Sequence, residues 1–177
     1  MLPPHPFEGF SPASLRRAAW ASAAVSSAVG AALLIQGQAL RNPAAPHGLV
    51  DFELCATGAC LSALSSAWGA AGWAEVRRLT LVDYAFLASY GPSLAALSLL
   101  FPGARRFPGA ARAAAWAAFA AMGFDAAENT LGLVILGGGP RMPSAPLMAA
   151  CAVCKFLLAA FPVAWLPLAL FMRAPRE

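Results

Sequence analysis

Uncharged stretches long enough to cross a bilayer constrain this chain more than any other feature. Ala18 to Leu40 is a run of 23 residues without an Asp, Glu, Lys or Arg, and about 20 apolar residues in a helix cross the hydrocarbon core. Three further blocks have similar length: Leu79–Phe101, interrupted only by Asp83; Ala113–Gly139, holding Asp125 and Glu128; and Ala145–Met172, holding Lys155. Composition agrees, with 60% of residues hydrophobic and 11% charged against roughly 45–50% and 25% in soluble domains. The apolar blocks and the absence of a Gly-X-Y period exclude collagen-like and disordered chains. An integral membrane protein remains.

Two questions of boundary follow. The basic start, the first apolar block and Gly37-Gln-Ala39 imitate a secretory signal peptide, but the block is longer than the roughly 7–15 residues of a signal core. It is therefore read as a span. Leu54–Ala74 is a fifth uncharged block of 21 residues, so rich in Ala, Gly and Ser that inserting it gains little. Arginine placement decides between four spans and five. With four, Arg16, Arg17, Arg105, Arg106, Arg112, Arg173 and Arg176 lie inside and Arg41, Arg77, Arg78 and Arg141 outside, seven against four. With five the split is five against six, which carries almost no positive-inside bias.

The expectation is therefore an all-α bundle of four transmembrane helices at about 18–40, 79–101, 113–139 and 145–172, forming one domain over 16–173. Residues 1–15, with four prolines, form an irregular cytoplasmic tail, and both termini are cytoplasmic in a bacterial inner membrane. A short outer helix at about 52–69 lies on the outer face or re-enters it. Ser22, Ser26 and Gly30 recur every four residues on the first span, a stripe of small residues for close helix packing. Trp20, Trp73 and Trp165 fall near span ends as interfacial anchors. The net charge of +4 is scattered as flanks of apolar blocks, with no basic helix or aromatic-basic stripe, so nucleic acid is not a partner.

The residues out of place in lipid are the functional candidates. An ionisable group at the bilayer centre costs about 2.5–3.5 kcal/mol on insertion scales and usually faces a bundle interior. In Phe124-Asp-Ala-Ala-Glu-Asn129, Asp125 and Glu128 are three apart and Asn129 is four from Asp125, so all three share a face. Lys155, the chain's single lysine, lies ten residues into its span, roughly 15 Å deep, where it pairs with Asp125 or Glu128. Asp83 and Tyr90, seven apart, share a face on the second span. One ammonium against three buried carboxylates leaves an excess of negative charge that needs protons or a cation. The site is expected to bind a small polar ligand, a proton or a cation, open toward Glu53 and the outer helix. The bland alternative is a Lys155–Asp125 pair with Glu128 neutral and Asp83 at the interface.

Val82-Asp-Tyr-Ala-Phe-Leu-Ala-Ser-Tyr-Gly91, Phe124-Asp-Ala-Ala-Glu-Asn-Thr-Leu131 and Cys154-Lys-Phe156 resemble a group of small bacterial four-span membrane proteins with Asp and Asp-x-x-Glu-Asn motifs in successive spans. The likeness implies a fold and one common site for Asp83, Asp125, Glu128, Asn129 and Lys155, but no activity. The cysteines give a different resemblance. Cys55 with Cys60, and Cys151-Ala-Val-Cys154 on the last span, are placed as in the vitamin K epoxide reductase family, although the loop pair is closer and that family's Asn-rich segment is missing. This implies a membrane thiol-disulfide oxidoreductase passing electrons from Cys55 and Cys60 through Cys151 and Cys154 to a quinone, with the Lys155 ammonium, one turn from Cys151, lowering its thiol pKa. Inert packing cysteines are the alternative. A third class is a structural subunit contacting a membrane-protein partner or another copy of the chain through a lipid-facing stripe. His47 near Asp51 and Glu53 reads as a loop histidine and not a metal ligand, and Gly137-Gly-Gly-Pro140 as a helix-ending turn.

Overall fold

The computed structural model describes residues 4–139 and 141–172. The order is α1 (Pro12–Gly37) running into a 3-10 turn (Gln38–Leu40), α2 (Leu49–Glu53), α3 (Gly58–Leu100), α4 (Pro102–Arg106), α5 (Pro108–Leu136) and α6 (Ser144–Phe171). Three helices are long and apolar enough to cross a membrane: α1 with its 3-10 turn, α5 and α6. The stretch 79–101, inside α3, is helical throughout to Leu100. Its Asp83, Ser89, Tyr90, Pro92, Ser93 and Ser98 dilute its apolarity.

Three expected boundaries move. The tail is not irregular to residue 15, because α1 begins at Pro12: proline sits at the first helical position, where its missing N–H costs nothing, and the Ser11 side chain accepts from the Ser14 N–H. The outer helix is not continuous over 52–69. Gly48, with φ 65°, turns the chain early into α2, and Thr57 then starts a new helix by accepting from the Cys60 N–H at 3.2 Å. Gly69 ends that segment: at φ 62° and ψ −169° it breaks the helical path inside α3, a conformation that costs glycine little. The third span ends at Leu136, before the Gly137–Gly139 turn, where Gly138 takes φ 84°. Pro140, Arg173 and Arg176 lie outside the described residues.

Packing follows a chain: α1 on α3, α3 on α5, α5 on α6. Small residues make the close approaches. A Cβ on Gly30 would come within 2.9 Å of the Phe86 ring, joining α1 to α3, and one on Gly91 within 2.8 Å of Met122 Sδ, joining α3 to α5. Ser22, expected to turn inward, is only half-buried and returns its hydroxyl to the Ala18 carbonyl. α1 and α6 make little contact with each other, which leaves a seam between them.

The two ends of the bundle are built differently. At the end that holds a Cys55–Cys60 disulfide, Leu40, Phe52, Leu61, Val76, Leu79 and Met148 belong to one core, with Trp73 stacked edge-on to Phe52 and the Trp68 indole donating to the Leu40 carbonyl at 2.7 Å. At the terminal end alanines dominate: Ala111 and Ala114 pack with Trp165 and Ala169, and Ala95, Ala96, Ala115 and Ala118 with Phe7 and Leu15. Trp165 is accordingly no interfacial anchor, being 6% exposed with its indole donating to the Ser98 carbonyl at 3.1 Å.

Candidate polar site

Four elements bring the site together. Asp125, Glu128 and Asn129 project from one face of α5 and are all buried, as their three- and four-residue spacing requires. From α6, Lys155 reaches them with its amine 3.0 Å from Asp125 Oδ1 and 2.7 Å from Glu128 Oε2. The last residue of α2, Glu53, closes the third side with Oε2 at 3.1 Å from the same nitrogen. The Asp125 contact is a hydrogen bond, whereas the Glu128 contact is an ion pair outside hydrogen-bond angles. An ammonium has three donors, and here three carboxylates converge on it. At 7% exposure Lys155 does not snorkel to an interface.

Asp83 is the fourth carboxylate and makes no ion pair with Lys155. It accepts instead from the Asn129 side-chain amide at 2.7 Å, a neutral bond that leaves its charge unmatched. Tyr84, one residue on, bonds to the Thr130 hydroxyl at 2.8 Å and so ties α3 to α5 beside the site. Four carboxylates against one ammonium give a formal charge of −3 when all are ionised. Glu53, outside the helices that can span, shows the consequence: burial pushes its carboxyl up to about 7 against the pull of Lys155.

A cavity of about 570 Å³ opens beside the cluster. Glu53, Asp83, Tyr90, Asp125 and Lys155 give it a polar wall, while Leu33 and Leu34 of α1, Phe86 and Leu94 of α3, and Phe156 and Val163 of α6 give it an apolar one. Glu128 and Asn129 are not on its surface; they hold Lys155 and Asp83 from behind. Among the described residues no group of three His, Cys, Asp or Glu side chains is arranged around an empty metal position. Lys155 takes the point on which the carboxylates converge.

Sequence reading passed over Ser93 and Phe86. Their signal is spacing, since 83, 86, 90 and 93 recur at three and four residues and trace one stripe of α3. The cysteines form a bonded pair, Cys55–Cys60 with Cα atoms 5.8 Å apart, and a free pair, Cys151 and Cys154. His47 binds Asp51 through Nδ1 at 3.1 Å. Comparison with protein-family models, curated proteins and solved structures finds no match, so geometry and chemistry alone carry the functional reading.

Proposed function

We propose that this is a four-span membrane protein, with the segment 79–101 of α3 as the additional span and both termini in the bacterial cytoplasm, whose buried Asp, Glu, Asn and Lys cluster binds a small polar ligand, a proton or a cation. The observation that carries this reading is the carboxylate excess: three acids share one ammonium and a fourth, Asp83, stands beside them at a cavity, and uncompensated charge in a low-dielectric bundle draws in a positive or proton-donating partner. The Lys155 ammonium neutralises one charge and organises three carboxylates. Asp83 remains as the acid that a ligand can meet.

The test compares Asp83→Asn and Glu53→Gln with the parent, reading proton uptake in detergent and the binding of small ammonium and alkali-metal ions. Loss of proton or cation uptake with folding intact supports the site. Unchanged titration and binding in both variants refute it.

A second reading rests on the cysteines. A bonded Cys55–Cys60 pair together with free Cys151 and Cys154 matches the state in which the Cys151/Cys154 dithiol has yet to pass its electrons to a quinone. A mixed disulfide trapped between one loop cysteine and Cys151 supports it, and retention of full function by Cys151→Ser overturns it.

A further inference from the structure

The cavity has a shape that the carboxylate excess alone does not require. Besides the acids, its lining comes from apolar residues of both α1 and α6 at the seam between them, two helices that make little contact with each other. The residues at that seam face outward: Leu34 is 68% and Val163 56% exposed, yet both line the cavity. Its interior wall carries unspent polar groups. Ser93 is 5% exposed and its hydroxyl makes no hydrogen bond among the described residues, and Tyr90, 8% exposed, faces Asp125. The Ser93 hydroxyl is thus free to bond a group held in the cavity.

We infer that the site takes an amphiphile with one hydrocarbon chain and a protonated amine head, admitted from the bilayer through the α1–α6 seam, with the head at Asp83 and Asp125 and the chain between Leu33, Leu94 and Val163. This deepens the proposed function and rests on it. Charge complementarity selects the head, because Asp83 has only a neutral amide partner and the Lys155 ammonium is already held by three acids. The apolar walls select a chain, since a small hydrophilic cation gains nothing from burying Phe86 or Phe156. Size sets the limit: about 570 Å³ falls within the roughly 300–1,000 Å³ of small-molecule sites, which suits one chain and excludes a whole two-chain lipid. The Arg41 guanidinium, which also lines the cavity, opposes entry of a cation past it.

The test follows the thermal unfolding midpoint of the full chain in maltoside micelles with tetradecylammonium, butylammonium, tetradecanol and tetradecanoate. At about a hundredfold excess over Kd, tetradecylammonium is expected to raise the midpoint by about 5–10 °C, and the other three by far less. Ala159→Trp, which fills the seam side of the cavity, should abolish the shift while folding like the parent; if it does not fold, Asp83→Asn serves as the second blocking variant. Equal shifts with butylammonium and tetradecylammonium would overturn the amphiphile and leave the polar site standing. No saturable shift with either amine would overturn both. A shift with tetradecanol or tetradecanoate equal to that with the amine would show that charge does not choose the head, and would end the inference as stated.

Discussion

The two halves of the bundle are helical throughout, yet they solve the problem of burial in opposite ways. The terminal half packs alanine on alanine, and its buried polar groups, such as the Trp165 indole and the Ser98 hydroxyl, are bonded to the backbone. The half toward the disulfide buries Lys155, Asp125 and Glu128, with Glu53 and Asp83 half-buried beside them, next to a cavity. Tight small-residue packing is a complete account of the first. The second carries charges whose removal from water can outweigh what their pairing returns, so packing alone does not account for it.

The largest break in that comparison comes from unpairing the cluster. Lys155→Met leaves Asp125 and Glu128 buried without a cation and is expected to cost about 3–5 kcal/mol. Adding Asp125→Leu and Glu128→Leu should recover most of it, because apolar groups of similar volume can replace a buried ion pair at little cost. Unfolding midpoints in detergent check this. A triple variant less stable than the single one would mean that the acids stabilise the bundle without Lys155.

The next largest effect is pH-dependent and belongs to Glu53. Its folded pKa of about 7 lies above the ordinary 4.5, so between those values the folded chain holds a proton that the unfolded chain releases. Stability from this group is therefore full below about 4.5 and falls as pH rises toward 7, with a slope of up to about 1.4 kcal/mol per pH unit. Asp83, Asp125, Glu128 and Lys155 face the same site, whereas His47 is engaged with Asp51. Glu53→Gln should flatten the dependence across that window and leave the variant more stable than the parent at neutral pH. A slope that stays the same in the variant would assign the titration to other residues.

What the sequence made legible was periodic. Asp125, Glu128 and Asn129 share a helix face because of their spacing, and Lys155 could be matched to them by depth, since antiparallel helices of known rise bring particular levels together. The contact of Glu53 with Lys155 was not readable in this way. It depends on where α2 ends, set by Gly48 and by the Thr57 cap, and loop geometry has no period. Trp165 misled for a related reason: proximity to a span end suggested an interface, but the alanines of α5 leave a space that only a large side chain fills. The cavity was invisible because it arises where contact is sparse, between α1 and α6, and a sequence pattern registers contacts that helices make.

The smallest effect probes the packing of the alanine-rich half alone and uses one substitution at two of its glycines. Gly103 in α4 is buried, and a Cβ there would lie 2.6 Å from the Ala169 Cα and 3.1 Å from its carbonyl oxygen. Those are backbone atoms of α6 and cannot rotate away, so α4 must shift. Gly103→Ala should cost about 1–3 kcal/mol, the usual price of overpacking. Gly109, six residues on in the first turn of α5, has nothing within 4 Å of the same position. Gly109→Ala should instead stabilise by about 0.4–1 kcal/mol, because alanine has less unfolded-state freedom to lose. Neither change touches the cavity, so amphiphile binding should be the same in both variants once each is folded. Binding that fell in step with stability in Gly103→Ala would show that the alanine-packed half sets the width of the seam, and that the two halves are not independent.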